Sequence, residues 1–438
     1  MSRLTRRSFL AASASSLAAP ALAGVLAQAR TASAQVAPSE KVRVGLIGCG
    51  GIGLVDMKTF FLNAEVDCPV VCDIDDSHIA SAVSLVEAER GHKPDTVKDF
   101  RQVIDRKDVD VVLVCTPDHW HALPTVYACQ AGKDVYTEKP LGQCIEEGRA
   151  MREAMRENKR VVQMGTQWRS GTHFRDAVEF IQSGKIGKVR QVRAWAYLDW
   201  LGGLEAQPDG EPPAGVDYDM WLGPAPLRPF NPNRFHFNFR WFWDYAGGLM
   251  TDWGVHLLNV CLWAMGPEFP KNVYSAGGKR ILADNTETPD TQVAVYDFPS
   301  YTLIWEHQVQ GGVGIGGRPH GASFSGSEGT VIIHDAGWEV IPEPKKNSVE
   351  AAKHDAGVDA RPAHVRNFLD CVKSRQAPVE NLDLGFHVST VAALGNIALR
   401  SGSLVTWDAI EERGCGTPEA QKLAMTNYRA PWTLPYSR

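Results

Sequence analysis

Two short motifs contain side chains that could carry out proton transfer. Lys139 lies within Glu138-Lys139-Pro140, directly after an apolar run. Asp252 and His256 are four residues apart, so on one helix they share a face. Histidine accepts a hydroxyl proton near neutral pH, and lysine stabilises negative charge that develops on an oxygen. These residue types predict the oxidation of an alcohol, and the alternative is an exposed lysine and a surface Asp/His pair.

A glycine-rich sequence near the start of the chain is typical of loops that bind dinucleotides. Its G-x-G-x-x-G pattern ends an apolar run, opens a helical pattern and comprises Gly48, Gly50, Gly51, Ile52 and Gly53. The first glycine allows a tight turn, the second lets the backbone approach a pyrophosphate, and the last permits close helix–strand packing. Because the N-terminus of the following helix faces the phosphates, we expect NAD(P) to bind here.

Asp73 indicates which dinucleotide binds. It lies twenty residues after Gly53, at the end of the second predicted strand. A carboxylate there would bind the adenosine ribose hydroxyls and repel a 2′-phosphate. We therefore expect NAD rather than NADP, and the alternative for Asp73 is a turn residue that ends a strand. No metal site is predicted.

The predicted elements place these motifs at the ends of strands. Over 41–165 helical patterns alternate with short β-branched runs at 42–48, 70–73, 109–116, 134–138 and 161–165. This alternation predicts a parallel sheet with helices on both faces. After about residue 170, longer alternating runs predict a mostly antiparallel sheet. Lys139 then follows a parallel strand at its carboxyl end, where open α/β sheets bind ligands.

The fold class is therefore α/β, with two domains. We predict an N-terminal Rossmann domain over 35–165 that binds NAD. A C-terminal α/β domain with an open, mostly antiparallel sheet follows over 166–410, for substrate binding and oligomerisation. Residues 411–438 are predicted to be a C-terminal extension.

An aromatic stretch precedes the Asp252 motif and alternates with polar residues. Its aromatic members at every second position are Phe235, Phe237, Phe239, Trp241 and Trp243. Period two predicts an extended segment, and aromatic faces suit the apolar faces of sugar rings. The alternatives are packed core or a subunit interface. Candidates for polar contact with a sugar are His236, Arg240, Gln167 and Arg169.

The first 34 residues are typical of an export signal. Thr5-Arg6-Arg7-Ser8-Phe9-Leu10 is a twin-arginine motif, a weakly apolar stretch follows, and Ala32-Ser33-Ala34 is a small-residue cleavage site. We predict a signal peptide over 1–34 and twin-arginine export of the folded protein to the periplasm. A membrane anchor is the alternative, and Pro20 breaks the short apolar stretch that it would need.

Charge and cysteine content exclude other classes of partner. The formal net charge is -6, and four arginines fall within 1–34, which leaves the rest of the chain still more acidic. This argues against nucleic acid or an anionic membrane as the main partner. The nine cysteines are odd in number and several lie in apolar runs, so we expect buried free thiols.

Three further motifs, in this order, resemble one known family. They are Thr116-Pro117-Asp118-His119-Trp120-His121, Glu138-Lys139-Pro140 and the stretch from Gly247 to His256. Together with the glycine loop they are similar to the glucose–fructose oxidoreductase, inositol dehydrogenase and rhizopine-catabolism family over roughly 40–410. The resemblance implies the two-domain fold described above, sugar or cyclitol substrates, and a homodimer or homotetramer.

The resemblance also implies roles for particular residues. Lys139, Asp252 and His256 match the family's catalytic positions. The cofactor-binding positions beyond the glycine loop and Asp73 are Thr116, Pro117, His121, Glu138 and Lys139. The family usually has asparagine where Asp118 stands, so the motif gives residue 118 no specific role.

These observations together predict an exported NAD-dependent oxidoreductase that acts on a sugar, cyclitol or glycoside hydroxyl. Free nicotinamide cofactor is absent outside the cytoplasm, so the protein is expected to bind its cofactor tightly and to recycle it within each catalytic cycle. The alternatives are glycoside cleavage or epimerisation through a transient keto-sugar, and a non-catalytic sugar-binding protein that carries the cofactor.

Overall fold

A computed structural model describes residues 40–199, 203–334, 336–346, 348–408 and 412–437. The predicted signal over 1–34 lies outside these residues. Within them, one helix, Leu382–Ser401, is long and apolar enough to cross a membrane, and 78% of its most apolar window is buried inside the protein. That degree of burial is typical of a core helix.

The first domain is built on a six-stranded parallel sheet with the order β3-β2-β1-β4-β5-β6. Its strands are β1 (Val42–Ile47), β2 (Val66–Cys72), β3 (Asp95–Val97), β4 (Val111–Val114), β5 (Asp134–Thr137) and β6 (Val162–Met164). Its helices are α1 (Gly51–Phe60), α2 (Asp76–Arg90), α3 (Phe100–Ile104), α4 (Ala122–Gln130) and α5 (Ile145–Glu157). This order is that of the Rossmann fold, as predicted.

The second domain contains a ten-stranded sheet with the order β14-β13-β12-β11-β7-β10-β9-β8-β15-β16. Its strands are β7 (Gln191–Leu198), β8 (Asn272–Gly278), β9 (Thr291–Asp297), β10 (Thr302–Val309), β11 (His320–Ser325), β12 (Gly329–His334), β13 (Gly337–Pro342), β14 (Ala352–Asp355), β15 (Val405–Asp408) and β16 (Arg413–Cys415). Among the described strands of this sheet, only β7 and β10 pair in parallel, so the sheet is mostly antiparallel, as predicted.

Seven α-helices follow the first domain in the described part of the chain. They are α6 (Thr172–Gln182), α7 (Tyr218–Leu222), α8 (Gly248–Asp252), α9 (Gly254–Met265), α10 (Arg361–Ser374), α11 (Leu382–Ser401) and α12 (Pro418–Leu423). α10 returns to the first domain, where Phe368 packs edge-on against Phe60 and Tyr136 with ring centroids 6.1 and 5.7 Å apart. The two domains therefore share apolar core.

The C-terminal segment packs against the first domain. Thr426 donates its amide to Glu146 at 2.7 Å, and the Tyr428 hydroxyl donates to Glu147 at 2.6 Å. Trp432 lies edge-on to Trp120 with centroids 4.9 Å apart. The described part of the predicted extension over 411–438 is thus joined to the body of the protein.

The aromatic stretch is not an extended strand, and the prediction from period two is wrong. Residues His236–Trp241 form 3-10 helical turns, with Asn238 donating to Phe235 O at 3.2 Å and Phe242 to Phe239 O at 3.1 Å. No described strand lies beside the segment to accept ladder hydrogen bonds, so local bonds replace them. Trp241 is buried in the core, and Phe237 is 57% exposed.

The structure describes the side chains of eight of the nine cysteines, and all eight are buried and free. The prediction of buried free thiols is confirmed for those eight.

Candidate active site

The glycine loop forms the turn between β1 and α1, as the sequence pattern predicts. Gly48 has φ +90°, and a Cβ atom there would lie 2.6 Å from the backbone of Cys115. A Cβ on Gly53 would lie 2.0 Å from the carbonyl oxygen of Gly48. A Cβ on Gly51 would meet nothing within 4 Å, and Ile52 beside it is 38% exposed. The loop thus packs tightly against the protein at Gly48 and Gly53, whereas the side at Gly51 is open. An open side of this kind fits a bound pyrophosphate.

Asp73 lies at the carboxyl end of β2 and lines the same cavity as the glycine loop. Its carboxylate accepts from the amides of Cys49 at 2.6 Å and Asp75 at 3.0 Å, and His78 Nδ1 lies 3.4 Å away. The hydrogen bond to Asp73 raises the pKa of His78. Asp73 therefore holds the loop in place and puts a carboxylate where an adenosine ribose would bind.

A segment of the second domain covers this adenosine end of the cavity. We call residues 203–247 the strap. The strap joins the first domain through a bridge between Asp75 and Val216, and through the Asp217 amide, which donates to Ile74 O at 2.9 Å. His236, which has φ +47°, lies within hydrogen-bond distance of Asp75, 2.8 Å from Nε2 to Oδ2. His236 was predicted to contact sugar, but the structure places it at the cofactor end.

Lys139 follows β5 and forms a buried ion pair with Asp252. Its peptide bond to Pro140 is cis, and its Nζ donates to Asp252 Oδ1 at 2.6 Å and to the carbonyl oxygen of Asp252 at 3.0 Å. Burial disfavours the ammonium ion, but the carboxylates of Asp252 and Glu138 outweigh it and raise the pKa of Lys139. Lys139 is therefore a protonated donor at neutral pH.

Arg240 was predicted to contact sugar, and the structure pairs it with Asp252 instead. Its Nε lies 3.4 Å from Asp252 Oδ2, and its guanidinium lies over the Phe237 ring, 4.0 Å from the centroid. Although burial opposes ionisation of Asp252, the charges of Lys139 and Arg240 hold the pKa of Asp252 well below its usual value. Arg240 nevertheless lines the cavity, so a substrate bound there could still reach its side chain.

His256 lies in the first turn of α9, whereas Asp252 is the last residue of α8. The two helices are separated by Trp253, so the predicted single helix is wrong, although both side chains still line one cavity. The Nδ1 atom of His256 is buried and has no hydrogen-bond partner among the described residues. Burial and the nearby charge of Lys139 lower the pKa of His256 to about 3. His256 is thus a neutral imidazole facing a cavity.

The Thr116-Pro117 turn follows β4 and lines the cavity beside the glycine loop. Thr116 Oγ1 is buried without a partner among the described residues. His121 is fully buried, with Nδ1 2.7 Å from Pro140 O and Nε2 2.8 Å from Thr116 O. Because both ring nitrogens face carbonyl oxygens, His121 joins the two turns and is not placed to accept a proton from substrate.

Glu138 also lines the cavity, and its carboxyl reaches α1. It hydrogen-bonds with Asp56 of α1, and both carboxyls are buried. A Cβ on Gly165 would lie 2.0 Å from Glu138 Oε1. Glu138 is therefore held between α1 and Gly165, where its charge raises the pKa of the adjacent Lys139.

The two candidates at the domain junction differ. Gln167 lines the cavity. Arg169 instead donates to Asn259 Oδ1 at 3.2 Å and lies 3.5 Å from Glu380, with its guanidinium over the Trp263 ring. These contacts turn Arg169 away from the cavity, contrary to the prediction that it binds substrate.

Sequence reasoning missed three rings on the second-domain side. Trp168 lies 5.2 Å from the His256 ring and 6.2 Å from His320, and Trp253 lies 4.9 Å from His320, all between centroids. All three line the cavity. Trp168 could have been found from its position between Gln167 and Arg169, but no pattern in the sequence singles out His320.

One cavity of about 990 Å³ is lined by residues of all these parts, including Gly48 of the glycine loop and His320 of the second domain. The open side of the glycine loop, the Asp73 carboxylate and the unpartnered Thr116 hydroxyl fit a nicotinamide dinucleotide lying along the strand ends. The residues that would hold it include the glycine loop, Asp73 and Thr116. Beyond it, Lys139, Asp252 and His256 face the remaining space.

A parallel sheet of this order with these groups at its carboxyl edge defines the class of NAD-binding oxidoreductases. Three family models match the sequence. They describe an oxidoreductase family NAD-binding Rossmann fold over 42–166, its C-terminal alpha/beta domain over 174–275 and 337–434, and a GFO/IDH/MocA C-terminal domain over 227–332. The chain therefore belongs to the Gfo/Idh/MocA oxidoreductase family, as the sequence motifs indicate.

Three relatives are similar in sequence to this chain over part of their length. Levoglucosan dehydrogenase of Pseudarthrobacter phenanthrenivorans is 29% identical over 164 residues, which cover 37% of this chain and 42% of the relative. Alpha-N-acetylgalactosaminidase of Shewanella oneidensis is 28% identical over 164 residues, covering 34% and 36%. The uncharacterised oxidoreductase YrbE of Bacillus subtilis is 23% identical over 59% of this chain and 63% of its own. The chain spans less than two thirds of each.

Solved structures share the fold over most of the chain. Levoglucosan dehydrogenase in complex with NADH and levoglucosan has a TM-score of 0.65 at 18% identity, covering 84% of this chain and 99% of that one. Aldose-aldose oxidoreductase from Caulobacter crescentus has a TM-score of 0.64 at 20% identity, with the same coverage.

Proposed function

We propose that the protein oxidises a ring hydroxyl of a sugar, cyclitol or glycoside with bound NAD. One observation supports this most directly. Protonated Lys139 and neutral His256 line the same cavity as the glycine loop. Bound NAD supplies the acceptor for the hydride. His256 accepts the hydroxyl proton, and Lys139 donates to the same oxygen as negative charge develops on it.

Asp252 acts on the substrate through Lys139. Its carboxylate keeps Lys139 charged and fixes the direction of Nζ. Because Arg240 balances the second oxygen of Asp252, that carboxylate is not a free base. The proton of the substrate hydroxyl is thus left to His256.

The cofactor is proposed to stay bound and to return to its starting state in each cycle. The strap covers the adenosine end, and its contacts with Asp75 and Ile74 would have to open before the dinucleotide left. Glycoside cleavage or epimerisation through a transient keto-sugar also recycles the cofactor, and the similarity to an alpha-N-acetylgalactosaminidase favours this second candidate.

The test begins with the nucleotide that accompanies the purified protein. NAD is expected in near-stoichiometric amount after denaturation, and recovery of mainly NADP would contradict the assigned role of Asp73. The holoenzyme is then mixed with sugars and glycosides while the absorbance of reduced nicotinamide is followed. His256→Ala and Lys139→Ala should each slow this single turnover by ~10²–10⁴-fold with NAD still bound. If no sugar or glycoside reduces the bound NAD, a sugar-binding role replaces this proposal.

We also propose export through the twin-arginine pathway, on the motif at Arg6 and Arg7. A double change to lysine, Arg6→Lys with Arg7→Lys, keeps the charge but removes the arginine pair. It should hold the protein in the cytoplasm, as shown by cell fractionation. Unchanged export of the double variant would contradict the proposal.

A further inference from the structure

Asp118 is a buried carboxyl in the wall of the active-site cavity that the proposed oxidation does not use. It opens the 3-10 turn Asp118–Trp120 after β4, is 7% exposed, and lines the cavity together with Lys139. Among the residues that the structure describes, none forms a hydrogen bond with its side chain. Its two oxygens are thus available to whatever occupies the cavity.

Charged groups face Asp118 from four elements. Lys139 at the end of β5 and Arg240 in the strap are positive, whereas Asp252 of α8 and Glu147 of α5 are acidic. Burial outweighs the positive neighbours and raises the pKa of Asp118 to about 8. Asp118 is therefore a neutral carboxylic acid at pH 7, beside two basic groups that would stabilise the carboxylate after the proton has left.

We propose that Asp118 is a second catalytic acid, which donates its proton to a substrate oxygen other than the hydroxyl that is oxidised. This inference rests on the proposed function. Oxidation of one hydroxyl moves one hydride and one proton, and Lys139 and His256 already serve that oxygen. A second acid in the same cavity is needed when the bond between carbon and a second substrate oxygen breaks, because that oxygen then needs a proton.

The substrate class that meets this requirement carries an oxygen-linked leaving group two carbons from the oxidised carbon. Once that carbon is a ketone, the C–H bond between the two positions becomes acidic. Solvent water takes up that proton as a C=C bond forms and the C–O bond breaks, and the electron pair of the C–O bond goes to the departing oxygen. The O–H bond of Asp118 breaks as its proton forms the new O–H bond on that oxygen. Water then adds across the C=C bond: its hydroxyl joins the carbon that lost the leaving group, its proton returns to Asp118, and solvent returns a proton to the neighbouring carbon. The ketone finally regains the hydride from the bound reduced cofactor and the proton held by His256, so the net change is hydrolysis.

The experiment compares the holoenzyme with Asp118→Asn on two glycosides of one sugar, an aryl glycoside and an alkyl glycoside. Asparagine keeps the size of the side chain and has no acidic proton. A phenolate leaves without protonation, whereas an alkoxide needs a proton, so the variant should lose ~10²–10⁴-fold on the alkyl glycoside and far less on the aryl glycoside. Asp219→Asn is the matched control, because Asp219 is 78% exposed and pairs with Arg429 outside the cavity.

Two further measurements separate an acid from a structural residue. Cleavage of the alkyl glycoside by the holoenzyme should fall as pH rises through about 8, because Asp118 then loses its proton, and this fall should be absent in the variant. The infrared carbonyl band of a protonated carboxyl should be weaker in Asp118→Asn at pH 7.

Each outcome has a distinct meaning. Equal losses on both glycosides, or no loss on either, would overturn the role of Asp118. A holoenzyme in which sugars reduce bound NAD but no glycoside is cleaved would also overturn it, with the proposed oxidation intact. A holoenzyme in which neither sugars nor glycosides reduce bound NAD would refute the proposed function itself.

Discussion

At the scale of single residues, the charge of Lys139 controls the protonation of its neighbours. Burial and that charge lower the pKa of His256 to about 3, whereas the Asp252 carboxylate acts in the opposite direction. A histidine is neutral above its pKa, so His256 can accept a proton throughout the neutral range. Proton transfer to His256 therefore depends on the Lys139–Asp252 ion pair, although that pair acts on the imidazole through charge and not through a hydrogen bond.

This arrangement predicts the pH dependence of substrate oxidation. Single-turnover reduction of bound NAD by its sugar should show no acid limb between about pH 5 and about pH 8, since His256 stays neutral there. Lys139→Met removes the positive charge, so the pKa of His256 should rise and an acid limb should move up toward neutral pH. A wild-type midpoint near the ordinary histidine value of about 6.5 would contradict the prediction.

Some residues of the site follow from the sequence and others do not. The glycine loop, Asp73 and Lys139 lie where motif and strand order predict, because local spacing fixes them. Arg169 does not, since its partners Asn259 and Glu380 are distant in sequence and no pattern links them. Asp118 was identified only as a departure from the family motif, because its burial depends on contacts made across the domain boundary.

At the scale of elements, apolar runs predicted most strands of the first domain and four strands of the second. The first-domain strands β1, β2, β4, β5 and β6 coincide with apolar runs. Seven strands were not predicted, and they are β3, β8, β11, β13, β14, β15 and β16. Of these, β3 and β14 are short strands with largely exposed side chains, which leave no apolar run in the sequence. The aromatic part of the strap was predicted to be extended, and the prediction is wrong because alternation of aromatic residues does not reveal whether a neighbouring strand exists.

The strap gives a testable account of cofactor retention. His236 bonds to Asp75 at 2.8 Å and lies against His78 with centroids 4.3 Å apart. His236→Ala removes both contacts, so bound NAD should be lost roughly ten times faster on dilution, which corresponds to about 1.4 kcal/mol. His92→Ala is the matched control, since His92 pairs with Asp67 at 2.7 Å on the exposed surface. Equal NAD loss from both variants would exclude a clamping role for His236.

A second element-scale prediction concerns the carboxyl pair that joins α1 to the end of β5. Burial and the Glu138 carboxylate raise the pKa of Asp56 well above its usual value, and burial also raises the pKa of Glu138. The folded protein thus binds more protons than the unfolded chain above about pH 4, so this pair loses stability as pH rises. Asp56→Asn should therefore raise the thermal midpoint at pH 8, by an amount that vanishes near pH 4.

Asp110→Asn provides a control of opposite sign. Although burial opposes ionisation, Arg43 holds the pKa of Asp110 below its usual value, so this carboxylate stabilises the fold at neutral pH and the stabilisation is lost as pH falls. The variant should be less stable than wild type at pH 8 and similar to it at low pH. Thermal unfolding across pH checks both changes, and a lower midpoint for Asp56→Asn at pH 8 would contradict the raised pKa of Asp56 as a source of instability.

At the scale of the whole molecule, the ten-stranded sheet leaves one face without a covering layer of described helices. α9 and α11 pack on the other face, where Val273 and Ala294 are buried. The open face presents Tyr274 at 56% and Val293 at 39% exposure, on neighbouring strands β8 and β9. Exposed apolar side chains on adjacent strands are typical of an association surface.

We therefore predict a homodimer or homotetramer that buries this face. Tyr274→Glu combined with Val293→Glu places two carboxylates where apolar contact would form, and burying unpaired charge there is unfavourable. Light scattering at micromolar concentration should show an oligomer for the wild type and a monomer for the double variant. Leu62→Glu, at a position that is 68% exposed on the first domain, should leave the oligomer intact. A monomeric wild type would contradict the prediction, and a Leu62→Glu variant that also dissociates would move the interface to the first domain.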